Sequence, residues 1–258
     1  MFTTTIATIT TIGTIIAAIA FLIAGFVKGV IGLGLPTVAI GLLGLVMPPA
    51  EAAALLVVPS LVTNVWQLAA GPSFRTLLRR LWPMLVGICI GTWAATLAGA
   101  DLMAGGEADH AAAALGIALL AYACFGLSRA RFTVPDGVER RFSLLVGAAT
   151  GAVTAATGVF VIPAVPWLQA LELRRDDLVQ ALGLSFLTST VAMAAGLAEG
   201  GAFDGAVAGA SLLALVPALA GMALGQRVRT HVRPETFRRC FFLGLLALGG
   251  HLALRPLL

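Results

Sequence analysis

A long uncharged stretch between two basic clusters is the most informative part of this sequence. Residues 142–171 read FSLLVGAATGAVTAATGVFVIPAVPWLQAL, and the flanking pairs are Arg140–Arg141 and Arg174–Arg175. Two membrane crossings would need about 40 apolar residues and a turn, which is more than this stretch contains. Because Lys and Arg favour the cytoplasmic side of a membrane, both ends are expected on that side. The stretch therefore predicts a re-entrant hairpin of two half-helices, buried in protein or lining a cavity.

The composition of the whole chain indicates an integral membrane protein. It has 258 residues, of which 59% are hydrophobic and 11% are charged. The mean hydropathy is +1.01 and the sequence pI is about 9.6. A soluble domain carries about 25% charged residues, so a soluble enzyme and a nucleic-acid binder are both disfavoured. Cys89, Cys124 and Cys240 lie in apolar stretches and are expected to be buried as small hydrophobic side chains.

Charged loops divide the rest of the chain into membrane spans. Basic loops are predicted at 75–80, 129–141 and 227–239, and acidic loops at 101–109 and 199–204. We expect the basic loops in the cytoplasm and the acidic loops outside, as in a multi-pass protein of the inner membrane. Each apolar stretch between them has about the 20 residues that a membrane helix requires. The six predicted spans are 50–71, 78–100, 110–128, 178–198, 205–226 and 236–256.

A second helix break is predicted near the amino-terminal end. Residues 29–36 read GVIGLGLP, and a short apolar piece follows before Pro48. Glycines permit a chain reversal, and Pro36 suits the first turn of a new helix. We expect residues 12–47 to form another hairpin, although residues 1–47 could also hold two tight full spans.

The two halves of the chain share glycine and proline motifs. A GxxxG motif at 25–29 recurs at 147–151, and a PxxxGxxxG motif at 83–91 recurs at 217–225. Small residues at this spacing allow membrane helices to pack closely, which is the role expected for Gly25, Gly87, Gly91, Gly221 and Gly225.

The order of elements is the same in both halves, but corresponding loops carry opposite charge. This pattern predicts an all-α integral membrane protein with two inverted repeats in a single transmembrane domain, at about 12–130 and about 142–256. Each repeat is expected to hold a broken re-entrant hairpin and three transmembrane helices. Many secondary transporters have this arrangement, with the substrate near the midplane where broken helices meet.

The glycine motifs also resemble those of a known family of membrane transporters. The resemblance is carried by the glycines of 25–34, the motif at 147–151, Thr157-Gly158 and Pro163. The sequence is similar to the TauE/SafE sulfite-exporter family over nearly its whole length. The resemblance implies transport of sulfite or of another sulfur-containing oxyanion or organosulfonate.

Polar groups inside the apolar segments are the candidate substrate-binding residues. Lys28 is the only cation in an otherwise uncharged amino-terminal stretch. An ammonium group inside the membrane favours an anionic partner. Alternatively, Lys28 lies near the end of a full span and reaches the interface. The polar faces of the spans after each hairpin suit either an oxyanion or interhelical hydrogen bonds. The candidates are Lys28, Gly32, Gly34, Pro36, Thr37, Ser60, Asn64, Thr154, Thr157, Gly158, Ser185 and Thr188.

The two helix breaks are expected to form a single anion site. Thr157 is predicted to cap a helix that begins after Gly158. Helix amino termini carry partial positive charge and unpaired amides, which suit an anion. We therefore hypothesise that an anion binds between residues 32–37 and residues 154–159, with the hydroxyls of Thr154 and Thr157 as further donors.

The predicted function is transport of a small anion by alternating access. An anion channel and a non-transporting membrane subunit are the alternatives. The three histidines form no pair with an acid at helical spacing, so an enzyme, a metal site and a cofactor are not predicted. The expected partners are a small anionic substrate and the lipid bilayer, without nucleic acid, and an oligomer is left open.

Overall fold

The described part of the chain is entirely α-helical, as predicted. The computed structural model describes residues 2–98, 108–128, 133–134, 137–229, 231 and 233–255. Its helices are α1 (Phe2–Ile31), α2 (Leu35–Leu43), α3 (Pro49–Ala69), α4 (Phe74–Leu97), α5 (Ala108–Leu127), α6 (Glu139–Thr157), α7 (Ala164–Ala170), α8 (Arg175–Glu199), α9 (Gly205–Val228) and α10 (Pro234–Leu254).

Seven of the described helices are long and apolar enough to cross a membrane. Six of these are α3, α4, α5, α8, α9 and α10, which confirms the six predicted spans with small differences at their ends. The seventh is the part of α1 from Ile12 to Ile31, which was expected to belong to a hairpin. The predicted basic loop at 75–80 is instead the start of α4, because arginine is a good helix former. The predicted loop at 101–109 lies largely outside the described residues, as does part of the loop at 129–141, whose last three residues belong to α6.

Both predicted hairpins combine a long helix with a short one. The first helix of each hairpin, α1 or α6, has 30 or 19 residues. The second, returning helix, α2 or α7, has 9 or 7. At about 1.5 Å per residue, α1 is longer than the hydrocarbon core, and α2 covers about half of it. The prediction of two half-helices is therefore wrong for the first hairpin. For the second hairpin it stays a prediction, because α6 is not among the candidate spans of the described residues. The absence of charge gives the total apolar length but does not locate the break.

The glycines at the helix breaks have left-handed backbone conformations. The φ angles are 81° at Gly32, 101° at Gly34 and 69° at Gly158. Only glycine adopts this region without steric cost, so these residues allow the chain to turn. Pro36 lies in the first turn of α2, whose first hydrogen bond runs from the Val38 amide to the Gly34 carbonyl. The predicted start of the returning helix is confirmed.

Thr157 does not have the capping role predicted for it. It is the last residue of α6, and its hydroxyl donates to the Val153 carbonyl at 2.7 Å and accepts from the Val159 amide at 3.2 Å. The next helix begins only at Ala164. The prediction is wrong because the chain stays non-helical through residues 158–163, which separates Thr157 from the start of α7.

Two glycine-lined crossings join helices from opposite halves of the chain. α1 packs on α9, and α4 packs on α6. A Cβ atom at Gly221 would lie 2.0 Å from the Leu22 carbonyl oxygen, and one at Gly91 would lie 2.0 Å from that of Ala148. The main chains therefore touch at these crossings, which small residues permit. The same close contact confirms the packing role predicted for Gly25, Gly87, Gly91, Gly221 and Gly225.

Corresponding helices of the two halves lie side by side and run antiparallel. α3 and α8 are joined by a contact of Ser60 with Thr190 and another of Gln67 with Val179, so numbers rise along one helix as they fall along the other. α5 and α10 pack in the same sense. An inverted repeat requires equivalent helices to run in opposite directions. The inversion of the repeats across a membrane stays a prediction.

The exterior of the bundle is largely apolar. Large side chains such as Trp66 and Trp93 are exposed, as expected for helices that face lipid. Cys89, Cys124 and Cys240 are also exposed, so the prediction that the protein buries them is wrong. Their apolar surroundings reflect a surface that faces lipid, which a sequence does not distinguish from a protein interior.

The sidedness of the chain gives a first testable prediction. In a cysteine-free background, we expect Thr76→Cys to react with a membrane-impermeant thiol reagent only from the cytoplasmic side, and Glu199→Cys only from outside. Both residues are exposed. Thr76 lies near the start of α4, and Glu199 lies at the end of α8. Labelling in intact and in opened cells measures this, and reaction of Thr76→Cys in intact cells would reverse the assigned orientation.

Candidate functional site

Lys28 is a buried cation near the end of α1. It is only 4% exposed. Its Nζ donates to Thr63 Oγ1 at 3.2 Å and to Asn64 Oδ1, both on α3. Among the described residues, no carboxylate lies within ion-pair distance of this amine. A protonated amine has three N–H groups, so one of them remains available to a ligand.

A chain of hydrogen bonds continues from Asn64 to α8. Asn64 Nδ2 donates to Ser60 Oγ at 3.1 Å, and Ser60 Oγ lies 2.9 Å from Thr190 Oγ1. The Thr190 hydroxyl donates to the Phe186 carbonyl at 2.7 Å, so Ser60 must donate to Thr190. In each of these bonds the donor group lies on the Lys28 side and the acceptor oxygen on the far side. The aligned bonds therefore favour a positive charge on Lys28. We call the set the polar chain: Lys28, Ser60, Thr63, Asn64 and Thr190.

The start of α2 follows Lys28 closely and contains an unpaired hydroxyl. Thr37 is fully buried, and its Oγ1 has no hydrogen-bond partner. The first hydrogen bond of α2 comes from Val38, so the amides of Leu35 and Thr37 lack partners inside the helix. Pro36 has no amide hydrogen. The beginning of α2 therefore offers a buried hydroxyl donor together with the partial positive charge of a helix terminus.

The threonines of the second break bond to their own helix. Thr154 donates to the Thr150 carbonyl at 2.7 Å, and Thr157 donates to the Val153 carbonyl at the same distance. The prediction that both hydroxyls are free donors is wrong for this conformation. In an apolar environment, a threonine hydroxyl bonds readily to the carbonyl four residues earlier.

The two candidates on α8 differ from each other. Ser185 is fully buried, and its hydroxyl has no partner, so it remains available to a ligand. Thr188 is partly buried and donates to the Leu184 carbonyl at 3.0 Å. Within the described chain, no hydrogen bond joins residues 154–159 to residues 32–37. The single site between the two breaks therefore stays a prediction.

The structure adds residues that the candidate set lacks. Thr63 and Thr190 are members of the polar chain, and Gln67 and Gln180 are buried between α3 and α8. The spacing of Ser60, Thr63, Asn64 and Gln67 does place them on one helical face. The sequence lacks the signal that selects their partners, because the register between α3 and α8 depends on tertiary packing.

These features together define a class of protein. A helical bundle with seven candidate spans, interrupted helices and a buried intramembrane cation is typical of a multi-pass membrane transporter. Residues 16–252 match the family described as Sulfite exporter TauE/SafE, and the chain belongs to that family. This membership agrees with a role other than catalysis. No curated protein and no solved structure matches the chain.

Proposed function

We propose that this protein carries a small sulfur-containing oxyanion or organosulfonate, such as sulfite, across the cell inner membrane by alternating access. The observation that carries the proposal is the buried Lys28 amine, which has neutral partners and, in the part of the chain that the structure describes, no carboxylate within ion-pair distance. Membership of the TauE/SafE family supports the substrate class. The paired broken helices support a site reached from either side in turn.

The energetics of Lys28 favour an anionic ligand. On insertion scales a lysine costs about 2.5–3.5 kcal/mol at the centre of a membrane helix and less towards its ends. Lys28 lies in the last turn of α1 but is buried in protein, so its charge is not exposed at the interface. Thr63 and Asn64 supply hydrogen bonds but no negative charge. An oxyanion would supply both the missing charge and an acceptor for the third N–H group, and such charge-assisted bonds are about twice as strong as neutral ones.

Further unpaired donors are candidates for the remaining oxygen atoms of the ligand. The amides of Leu35 and Thr37 and the Thr37 hydroxyl are donors at the first break. Ser185 is a further buried donor on α8. In this proposal the anion lies between residues 32–37 and residues 154–159, beside Lys28, and its charge balances the ammonium and the start of α2.

Ligand-dependent thermal stability tests the proposal directly. Purified protein is heated with sulfite, thiosulfate, taurine, sulfoacetate, sulfate or chloride at matched ionic strength. A bound anion raises the unfolding temperature in proportion to the logarithm of its concentration once the site is saturated. We expect at least one sulfur anion to do so while chloride does not. Flux of that anion into proteoliposomes should saturate. No stabilisation by any sulfur anion would contradict the proposal, and unsaturated flux would indicate a channel.

A further inference from the structure

Two glycine-lined crossings each form the centre of a group of helices that draws on both halves of the chain. The crossings of α1 with α9 and of α4 with α6 hold main chains in contact. α3 is bound to α9 through Ser211, whose Oγ accepts from the Val58 amide at 3.0 Å and donates to the Leu55 carbonyl at 2.8 Å. We call α1, α2, α3 and α9 the first body, and α4, α6, α7 and α8 the second body; across the boundary, α3 packs on α8 as extensively as it packs on α9.

The two bodies meet along α3 and α8. Gln180 of α8 is fully buried at the carboxyl end of α3. Its Nε2 donates to the Leu68 carbonyl at 2.7 Å and to the Gly71 carbonyl at 2.8 Å, and its Oε1 accepts from the Ser73 amide at 2.9 Å. At Gly71 the chain passes from the first body to the second. A single glutamine side chain therefore joins the bodies at this point.

Gln67 makes the reciprocal contact from α3. Its Nε2 donates to the Val179 carbonyl at 2.6 Å, while its buried Oε1 has no partner. The side chain lies against α8 where Gly183 leaves room: a Cβ atom at Gly183 would be 3.2 Å from Gln67 Cγ. These bonds join glutamine side chains to main-chain carbonyls and, at Ser73, to a main-chain amide, so water can replace them. Water cannot replace the main-chain contacts at the two glycine crossings in this way.

The opposite ends of α3 and α8 lack such bonds. Towards Pro49 and Glu199, beyond the pair of Ser60 and Thr190, no hydrogen bond joins these two helices in the described residues. That end of α8 instead packs on α4, where a Cβ atom at Gly196 would lie 3.7 Å from Thr96 Oγ1. The polar contacts between the bodies are thus concentrated at the end that precedes the basic start of α4.

We infer that Gln67 and Gln180 form a gate that closes this end of the transport path. The inference rests on the proposed function, because alternating access rocks one bundle against another around a fixed site. Asn64 of the polar chain lies one helical turn before Gln67, so the gate directly adjoins the proposed site. Opening it breaks the glutamine bonds to Val179, Leu68 and Gly71 and leaves both glycine crossings intact.

A disulfide across the gate tests this assignment. An ideal Cβ at Gly183 lies 3.4 Å from Gln67 Cβ, close to the spacing of a disulfide. In proteoliposomes of a cysteine-free variant, we expect oxidation of the Gln67→Cys, Gly183→Cys pair to slow radiolabelled sulfite transport at least about tenfold, with recovery on reduction. The matched control is the Thr96→Cys, Gly196→Cys pair, which bridges α4 and α8 within the second body and should change transport less than about twofold.

A labelling experiment keeps the gate distinguishable from the proposed function. With Gln180→Leu, we expect Ser60→Cys to react at least about fivefold faster with an impermeant thiol reagent added on the side of Thr76, because an open gate exposes the polar chain. Unchanged labelling, unchanged transport with the gate disulfide fully formed, or equal inhibition by the control pair would overturn the inference. If wild-type protein transports no sulfur anion, the proposed function fails, while the labelling still tests the gate.

Discussion

Replacing Lys28 with alanine is expected to lower the affinity for the transported anion at least about thirtyfold, since removing one partner of a buried charge pair costs about 2 kcal/mol or more. Lys28→Arg should retain part of the affinity, because it keeps the positive charge but presents a larger, planar group. Lys28→Met should lose affinity with little change in thermal stability, because it removes a buried charge that has no carboxylate partner among the described residues, which offsets the lost hydrogen bonds to Thr63 and Asn64. Titration of the purified variants with sulfite, followed by calorimetry, measures these effects.

The control for Lys28 is its counterpart in the second half. Thr150 precedes Gly151 as Lys28 precedes Gly29, and its hydroxyl bonds only to the Val146 carbonyl of its own helix. Thr150→Ala should therefore bind the anion nearly as the wild type does. If Lys28→Ala also binds and transports normally, Lys28 is a lysine that merely reaches the interface, and the anion site lies elsewhere.

Replacing Gly221 with alanine is expected to prevent stable folding. The new Cβ would lie 2.0 Å from the Leu22 carbonyl oxygen and 2.9 Å from the Phe26 amide nitrogen, and both are main-chain atoms. α1 and α9 would have to separate along their crossing, at a cost of about 3 kcal/mol or more. The yield of monodisperse protein and its unfolding temperature measure this loss.

Gly209 provides the matched control on the same helix. No atom lies within 4 Å of a Cβ placed there. Gly209→Ala should leave stability unchanged or raise it by up to about 1 kcal/mol, because alanine favours the helix. Equal stability of the two alanine variants would show that α1 and α9 are not in main-chain contact.

The membrane spans were predictable because charge and length determine them. Each span lies between charged residues that the membrane interior excludes, so α8 and α9 begin and end close to the predicted positions. The break at Gly32 and Gly34 was predictable for a similarly local reason, since glycine adopts a positive φ without the steric cost that other residues have. The depth of the hairpins was not predictable, because an uncharged segment gives no signal for where a helix ends.

The candidate site was predicted only in part. Lys28, Ser60 and Asn64 are brought together, because an isolated cation and a polar helical face are both visible in a sequence. Thr157 was assigned the wrong role, since the conformation of residues 158–163 depends on packing around them. Thr190 was left out for the same reason: its contact with Ser60 exists only in the particular register of α3 against α8.

The glycine crossings have a consequence for the independence of the two halves. Gly25 lies in main-chain contact with Ala218, and Gly87 with Leu144, so each crossing takes one helix from before α6 and one from after α5. Neither half can complete a crossing with its own helices. Separately synthesised halves would therefore have to assemble with each other before the glycine-lined helix faces of either half could be buried. A half-length ancestor could make the same contacts only as a dimer, with the first helix of each copy lying in the glycine groove of the other.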